Sequence, residues 1–195
     1  DARRILVIQG HPDPAGGHLC HELAAAYVRG VHEGGHELRT ADVSRLEFPL
    51  LRSSHEWESS PAPPDIAKVQ QDIAWAQHVV LFFPLWIGDM PALLKGFLEQ
   101  VARPGFAFRR KEDQPFGHKA LEGRSARVVV TMGMPSVIYR LVYREHALKA
   151  LERDVLAFIG FDPVHETLVG QAEALGPEAV ARWRDELHRL GRAGD

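Results

Sequence analysis

The stretch Val79-Val80-Leu81-Phe82-Phe83 carries the strongest strand signal in the chain, and Pro84 ends it. An unbroken run of β-branched and aromatic apolar residues is typical of a strand that is buried on both faces, as in a parallel sheet. Proline cannot continue such a strand because it has no N–H group to donate to the next strand. This stretch therefore predicts a buried strand of a parallel sheet.

Four other segments predict strands on either side of this one. Two of them are also apolar and are closed by glycine, since Ile5-Leu6-Val7-Ile8 leads to Gly10 and Arg127-Val128-Val129-Val130-Thr131 leads to Met132-Gly133. The other two are weaker, and they cover about His36 to Asp42 and Val164 to Val169. The chain therefore predicts five strands in all.

Each predicted strand is followed by apolar residues at helical spacing, which predicts a helix that covers the sheet. Asp65 can cap the second of these helices, and Pro91 suits the first turn of the third. The five apolar faces are Leu19, Leu23, Ala26, Tyr27 and Gly30; Ile66, Val69, Ile73 and Ala76; Leu94, Phe97, Leu98 and Val101; Leu148, Leu151, Val155, Phe158 and Ile159; and Val180, Trp183, Leu187 and Leu190.

The alternation of strands and helices predicts an α/β fold, a three-layer sandwich with right-handed crossovers. A five-stranded parallel sheet with one helix after each strand fits the flavodoxin-like strand order 2-1-3-4-5. The length of 195 residues allows one domain over 1–195, with loop insertions at about 43–64 and 103–122.

Composition excludes several classes of protein. Lys and Arg number 23 and Asp and Glu 26, so the net charge is −3, which is too close to neutral for a protein that binds nucleic acid through its phosphates. The lone cysteine, Cys20, excludes an intrachain disulfide framework and favours a reducing, cytoplasmic location. We expect no transmembrane helix, because no segment has the necessary apolar length. The residues from Asp1 lead directly into a strand-like stretch without the pattern of a signal peptide, and a leader removed earlier would leave no trace in this sequence.

Ligands of such sheets bind beyond the carboxyl ends of the strands, near the switch in strand order, so the loops after strands one, three and four are the candidates. The first loop, Gln9 to Cys20, leads into a helix whose free N–H groups suit a phosphate. It has neither the dinucleotide-binding nor the P-loop glycine pattern. A plain strand-to-helix turn is the alternative.

The same loop contains His11, His18, Cys20 and His21, which raises the question of a metal site. We predict none, because the pattern places no fourth ligand and zinc sites usually show tighter paired spacing.

The second and third loops suit a flat ring. Phe83 to Gly96 is apolar and aromatic, and an isoalloxazine needs apolar walls with N–H groups along its polar edge. In the third loop, Thr131 to Ser136, Gly133 allows the backbone to approach the same ligand. The alternatives are a Trp86 that packs in the core or a subunit interface, and a simple turn at the third loop.

Together these loops resemble the flavodoxin-like NAD(P)H:quinone oxidoreductase family, NAD(P)H dehydrogenase (quinone), and the related flavoprotein ancillary subunits of potassium efflux systems. The resemblance is strongest in Phe83-Pro84-Leu85-Trp86 and in Pro91 to Phe97. Gly10-His11-Pro12 and Thr131-Met132-Gly133-Met134 support it in the right order. It extends from Arg4 to about Leu190.

The resemblance implies a bound flavin, FMN or FAD. It assigns the flavin phosphate to His11, Gly17, His18, Leu19 and Cys20. It assigns the ring to Pro84, Leu85, Trp86, Ile87 and Gly88, and the pyrimidine edge of the ring to Thr131, Met132, Gly133 and Met134. It assigns catalytic roles near the flavin N1 and O2 to Tyr139 and His146, although the offset of His146 does not match the family cleanly.

Departures from the family pattern lie mainly in the first loop. Gly17 and Cys20 stand where the family usually has Ser and Asn, and no Ser or Thr lies between His11 and His21. Trp86-Ile87 replaces Gln-Trp, and Met132 and Met134 replace Thr and Gly. Phosphate binding would then rest on backbone N–H groups and His18.

The resemblance implies hydride transfer from NAD(P)H through the flavin to a quinone-like acceptor with ping-pong kinetics, in a homodimer. Phe106 and Phe108 are candidate further walls, and Arg109-Arg110-Lys111 is a candidate for a dinucleotide phosphate, with a solvated charge cluster as the alternative. Three other interpretations remain: a non-enzymatic electron carrier, a regulatory subunit of a membrane transporter, and an α/β domain with another ligand.

Overall fold

The computed structural model describes residues 1–111, 114–119 and 121–195. Its strands, in chain order, are β1 Arg4–Gln9, β2 Glu37–Asp42, β3 His78–Pro84, β4 Phe108–Lys111, β5 Gln114–Lys119, β6 Arg124–Thr131 and β7 Phe161–Val169. Five of these form one sheet in the order β2-β1-β3-β6-β7, and all four of its pairings are parallel. The predicted flavodoxin-like sheet, with its strand order 2-1-3-4-5, is confirmed.

The described helices connect these strands across both faces of the sheet. They are α1 Leu19–Glu33, α2 Ser54–Ser59, α3 Pro64–Trp75, α4 Ala92–Val101, α5 Ser136–Leu141, α6 His146–Ala150, α7 Ala157–Ile159 and α8 Pro177–Ala193. A 3-10 turn covers Val43–Arg45, and a π-helical segment, Leu151–Leu156, joins α6 to α7.

Two apolar cores flank the sheet, one on each face, and for this reason the sequences of its central strands are continuous apolar runs. Every residue of β3 is buried. Leu81 and Phe83 face a core shared with α3 and α4, whereas Val80 and Phe82 face a core shared with α1 and α8. Because successive side chains of a strand point to opposite faces, a five-residue apolar run fills both cores at once.

Helices α1 and α8 pack with their backbones in direct contact. A Cβ atom on Gly30 would collide with the carbonyl oxygen of His188, and one on Gly191 would collide with that of Tyr27. Only glycine fits at two such facing positions. This contact joins the first and last helices on one face of the sheet.

Three segments differ from the sequence prediction. The insertion predicted as loop at 103–122 contains β4 and β5, an antiparallel pair outside the main sheet. The insertion at 43–64 contains α2. Helix α5 was not predicted, because most of its apolar residues are exposed and its sequence shows no buried stripe.

Within the described residues, no helix has both the length and the apolar character needed to cross a bilayer. The side chains of Phe108 and of Arg109-Arg110-Lys111 lie outside the described part of the structure, so the roles considered for them remain predictions.

Candidate functional site

A cleft of about 590 Å³ opens at the carboxyl edge of the sheet, where β1, β3 and β6 end. This is the point at which the strand order reverses between β1 and β3, where open α/β sheets bind their ligands. The residues that line the cleft are His11, Asp13, Gly17, His18, Leu19, Cys20, Pro84, Leu85, Trp86, Thr131, Met132, Gly133, Ala172 and Glu173.

At one end of the cleft, the loop between β1 and α1 presents unpaired N–H groups. Gly16 and Gly17 both have positive φ, 71° and 81°, which glycine adopts without strain and which turns the chain into the helix. His18 is the N-cap residue, and its carbonyl oxygen accepts hydrogen bonds from the N–H groups of His21 and Glu22. The N–H groups of Gly17, Leu19 and Cys20 have no hydrogen-bond partner within the described structure, so they are free to bind an anion.

Three imidazole rings lie close together beside this loop, and those of His11 and His18 line the cleft. His11 stacks on His18 with ring centroids 4.2 Å apart and an interplanar angle of 12°. His21 lies 4.8 Å from His11 and 5.5 Å from His18, measured between ring centroids. We call His11, His18 and His21 the histidine cluster.

The other end of the cleft is apolar, with Trp86 as its largest wall. Leu85 donates its N–H group to the carbonyl oxygen of Thr131 at 2.7 Å, which fixes the second loop against the third. The Trp86 side chain is half exposed, and its ring meets His11 edge-on at 5.7 Å between centroids. The cleft therefore joins the histidine cluster to a flat apolar surface.

The tip of the second loop is a tight hairpin turn. Trp86 and Asp89 exchange backbone hydrogen bonds of 2.8 and 3.0 Å, and both residues between them have positive φ, 50° for Ile87 and 74° for Gly88. A β-branched residue with positive φ is strained, by about 1–3 kcal/mol, and such strain is found mostly at functional sites. The Ile87 side chain is fully exposed.

The third loop is held in place by the loop that follows β7. Ala172 donates its N–H group to the carbonyl oxygen of Met132 at 2.9 Å, and Gln171 donates to that of Met134 at 3.1 Å. The N–H group of Gly133 has no partner within the described structure. It is therefore a free donor beside the apolar end of the cleft.

Cys20 reaches the floor of the cleft as a neutral thiol. Its side chain is buried, and its Sγ donates to Oε1 of Gln9 at 3.3 Å. Burial raises the pKa of this thiol to about 12, so it is not a thiolate nucleophile at neutral pH. Among the described residues, no group of three or more His, Cys, Asp or Glu side chains is arranged to hold a metal ion.

The structure brings most of the predicted cofactor residues together in this cleft. Eleven of the fourteen predicted positions line it: His11, Gly17, His18, Leu19, Cys20, Pro84, Leu85, Trp86, Thr131, Met132 and Gly133. The other three, Ile87, Gly88 and Met134, do not line the cleft, although Ile87 follows Trp86 and Met134 follows Gly133 in the chain.

The two residues predicted to be catalytic lie elsewhere. The Tyr139 side chain is fully buried, packs beside Leu85 and Met90, and accepts a long hydrogen bond of 3.4 Å from the Leu148 N–H group. His146 is exposed at the start of α6. Neither lines the cleft, so in this arrangement Tyr139 positions α5 in the core, and the catalytic roles stay predictions that the geometry does not support.

Three residues that line the cleft were missed by sequence reasoning. Asp13 accepts a hydrogen bond from Nε2 of His18 at 2.7 Å between Nε2 and Oδ2. Ala172 and Glu173 come from the loop after β7. The sequence did contain a signal for Ala172 and Glu173. In the predicted order strand five is the neighbour of strand four, so the loop after strand five must lie beside the third loop.

Phe106, which was predicted as a further wall of the ring site, instead lines a separate pocket with Trp57 and Arg103.

Comparison with known proteins agrees with this geometry. Residues 3–190 match the family described as Flavodoxin_2, flavodoxin-like fold. The chain belongs to this family. An NAD(P)H:quinone oxidoreductase from Methanothermobacter marburgensis has the same fold with a TM-score of 0.81, at 22% identity over 98% of this chain and 96% of that one.

Two curated relatives share more limited stretches of sequence. An FMN-dependent NADH:quinone oxidoreductase of Shewanella loihica is 36% identical over 155 residues, which is 74% of this chain and 75% of that protein. A ribosyldihydronicotinamide dehydrogenase-like protein of Penicillium crustosum is 28% identical over 155 residues, 67% of this chain. The match spans only 57% of the length of the Penicillium protein. The resemblance predicted from the three loops is confirmed at the level of the family.

Proposed function

We propose that this protein is a flavin-dependent NAD(P)H oxidoreductase that passes hydride from NAD(P)H, through a flavin held in the cleft, to a quinone-like acceptor. The observation that carries the proposal is the cleft itself, with free N–H donors at one end and a flat apolar wall at the other. That combination suits a ligand with an anionic tail and a planar ring, and FMN has both.

The phosphate end fits an anion without any hydroxyl side chain. The three unpaired N–H groups of Gly17, Leu19 and Cys20 lie at the N-terminus of the fifteen-residue helix α1, whose dipole adds partial positive charge there. Charge-assisted hydrogen bonds of this kind are worth about 1.5–3 kcal/mol each.

The ring end fits an isoalloxazine. Pro84, Leu85 and Trp86 would contact its flat face, and the free N–H group of Gly133 would donate to an oxygen or nitrogen at its polar edge. A bound flavin supplies the two-electron redox chemistry of such a site. The N–H group of Gly133 would stabilise negative charge on the reduced ring, because a donor that is already in position needs no reorganisation.

Trp86 would serve a second purpose, to exclude water. Its large ring lies at the mouth of the cleft and is held by the hydrogen bonds of the Trp86–Asp89 turn. Hydride transfer needs close stacking with little water between the reactants. The names of the relatives, which include an FMN-dependent NADH:quinone oxidoreductase, support the same proposal.

The proposal is tested with the purified protein and added FMN. We expect FMN fluorescence to be quenched on binding, the flavin absorbance to bleach anaerobically with NADH or NADPH, and the colour to return on addition of a quinone. Binding without steady NAD(P)H consumption in the presence of a quinone would favour an electron carrier, and no uptake of FMN or FAD would overturn the proposal.

Variants at Trp86 separate ring binding from phosphate binding. Trp86→Ala should weaken FMN and riboflavin alike by about tenfold, since an aromatic contact is worth about 0.5–1.5 kcal/mol beyond the area that it buries. Trp86→Phe should retain most of the affinity. Trp183→Phe, on α8, is the matched control and should bind as the unchanged protein does.

We also propose that a second copy of the chain covers the mouth of the cleft. A group of exposed apolar side chains, the apolar rim, continues from the second loop onto α5, which is pinned to that loop by Tyr139. The rim consists of Trp86, Ile87, Val137, Ile138, Leu141 and Val142, with exposed fractions between 43% and 106%. Exposed apolar side chains grouped on neighbouring segments in this way favour an interface.

The dimer is tested by sedimentation velocity. Leu141→Glu combined with Val142→Glu should convert a dimer to a monomer and weaken FMN binding, since the rim adjoins the cleft. Leu50→Glu is the control, because Leu50 is 61% exposed but lies against Gly96 on α4. An unchanged protein that sediments as a monomer at high concentration would exclude this part of the proposal.

Two predictions from the sequence remain part of the proposal. Residues 1–195 are expected to fold as one domain, which the five-stranded sheet with a core on each face supports. A cytoplasmic location is expected because NAD(P)H is supplied inside the cell, and cell fractionation tests it.

A further inference from the structure

The phosphate end of the cleft has an unusual set of polar side chains. Between His11 and His21 the chain has no Ser, Thr, Asn, Gln, Lys or Arg, so its only polar side chains are the three histidines, Asp13 and Cys20. The Cys20 thiol is already used on Gln9. Any side-chain contribution of this loop to phosphate binding must therefore come from the histidine cluster.

Hydrogen bonds set which ring nitrogens are free. The Asp13 N–H group donates to Nδ1 of His11 at 3.1 Å, and the His18 N–H group donates to Nδ1 of His21 at 3.4 Å. A neutral imidazole whose Nδ1 accepts carries its hydrogen on Nε2. His11 thus keeps an Nε2–H group as a free donor, whereas the His21 side chain also bonds the backbone of Asp13, and Nε2 of His18 binds the Asp13 carboxylate.

Without an anion, His11 and His21 resist protonation. Burial, followed by the nearby His18 and His21, lowers the pKa of His11 to about 4. Burial and then His18 also lower the pKa of His21. At neutral pH both rings are therefore neutral, mainly because burial disfavours the charged imidazole.

The acidic groups around the cluster are few. Asp13 is paired with His18, and Asp42, at the end of β2, accepts a salt bridge from Arg45 at 3.3 Å. Arg45 also donates to the carbonyl oxygen of Pro14, and Glu173 faces the same cleft from the loop after β7. None of these supplies the strong negative charge that a phosphate monoester would bring, about −1.5 to −2 near pH 7.

We propose that the histidine cluster is a proton-linked receptor for a phosphate monoester, which takes up a proton as the flavin phosphate binds. The inference rests on the proposed function, because it concerns the phosphate end of the same cleft. A dianion beside the three rings replaces their mutual repulsion with attraction, so the imidazole that was neutral in the free protein becomes charged in the complex.

Linkage fixes the direction of the pH dependence. If binding takes up one proton, the dissociation constant of FMN rises as pH rises, by at most tenfold per pH unit. Below about pH 6 the phosphate itself is protonated, so the effect is expected between pH 6.5 and 8. The two phosphates of FAD form a diphosphate bridge in which each carries a single charge and neither is a monoester, so we expect the same cluster to favour FMN over FAD.

The test compares FMN with riboflavin, which lacks the phosphate. Flavin fluorescence at constant ionic strength gives the dissociation constants from pH 6 to 8.5, and calorimetry in two buffers of different ionisation enthalpy gives the protons taken up. We expect FMN to weaken threefold to tenfold per pH unit above pH 6.5, with uptake of about 0.5–1 proton, and riboflavin to change less than twofold.

Variants assign the effect to the cluster. His21→Gln and His18→Gln should each flatten the FMN profile and lower the proton uptake, whereas His55→Gln, at an exposed position in α2, should change neither. The calorimetric result on the unchanged protein stands even if a variant folds poorly. FMN binding without proton uptake would overturn this inference alone, while failure to bind either flavin would overturn it together with the proposed function.

Discussion

The two edges of the same parallel sheet use their polar groups in opposite ways. At the amino edge, the side chains bind one another: Arg3 donates to Oγ of Ser125 at 2.9 Å, and that oxygen lies 2.7 Å from Nδ1 of His78. Arg127 pairs with Asp195 at 2.8 Å. At the carboxyl edge, by contrast, the N–H groups of Gly17, Leu19, Cys20 and Gly133 have no partner within the described structure.

The difference separates stability from binding. A buried polar group without a partner costs about 1–3 kcal/mol, so an edge that only supports the fold pairs most of its polar groups internally, although Nε2 of His78 and Nε of Arg127 are buried without a partner. Free donors persist at the carboxyl edge because water reaches them in the open cleft, and a ligand can replace that water. Substitutions at the two edges should therefore affect different measurements.

The largest expected effect comes from removal of one free N–H group at the carboxyl edge. Leu19 is the first residue of α1, where proline is well tolerated, and the preceding His18 is extended, as a residue before proline prefers. Leu19→Pro should weaken FMN binding about tenfold to a hundredfold through loss of one charge-assisted hydrogen bond. Fluorescence titration measures it.

A matched pair of controls isolates the N–H group. Leu19→Ala removes the side chain but keeps the donor, so it should bind FMN close to normally. Riboflavin affinity should hardly respond to Leu19→Pro, because riboflavin has no phosphate. Equal losses for both flavins would show that the proline had disturbed the cleft as a whole.

The amino edge should respond in stability instead. Ser125→Ala removes the partner of the fully buried His78 and one partner of Arg3. We expect the free energy of unfolding to fall by about 1–3 kcal/mol, measured by urea denaturation. The FMN dissociation constant of the folded variant should stay within twofold, and a large change in it would contradict the separation of the two edges.

The same edge should make the protein sensitive to mild acid. Burial, then the charge of Arg3, lowers the pKa of His78 to about 3, against 6.5 in an unfolded chain. Above pH 6.5 both states are neutral at this residue. Between pH 6.5 and pH 3 only the unfolded state takes up the proton, so the free energy of unfolding falls with pH by at most ~1.4 kcal/mol per unit.

Denaturation at several pH values checks this window. His78→Asn keeps a polar atom near Ser125 but cannot titrate, so its stability should depend less on pH from 6.5 to 4. His55→Asn, at an exposed position in α2, should keep the full dependence. If His78→Asn and the unchanged protein lost stability in parallel, the assignment to His78 would be wrong.

The smallest expected effect concerns Cys20, a residue of the carboxyl edge that behaves like one of the core. Its pKa, raised by burial to about 12, leaves almost no thiolate at pH 8. Iodoacetamide should label it at least tenfold more slowly in the folded protein than in urea, with or without FMN. Rapid labelling of the folded protein would show that the thiol reaches the cleft as a free group.

The sheet was predictable because two physical signals agreed. Val79 to Phe83 is apolar without interruption and must be buried on both faces, and glycine or proline ends each of the main strands. Strand order then followed from the alternation of strands and helices. The antiparallel pair β4–β5 gave no such signal, because it lies outside the main sheet and has no apolar run of its own.

The site was predictable where backbone geometry decides it and not where side-chain direction does. Loops that follow neighbouring parallel strands must meet at one edge, so eleven predicted positions line the cleft. Tyr139 has the right place in the sequence, but its ring turns into the core beside Met90. The direction in which the Tyr139 side chain points from the short helix α5 is set by tertiary packing, which no local sequence pattern encodes.

The hydrogen bonds from Gln171 and Ala172 to the third loop have a consequence for assembly. They connect the cleft to β7, the edge strand that comes last in the chain. If β1, β3 and β6 formed before β7, the N–H groups at the start of α1 would already be in place. The third loop, which would bind the flavin ring, would still lack the hydrogen bonds that hold it. The time at which FMN fluorescence is quenched during refolding would therefore show when the final strand docks.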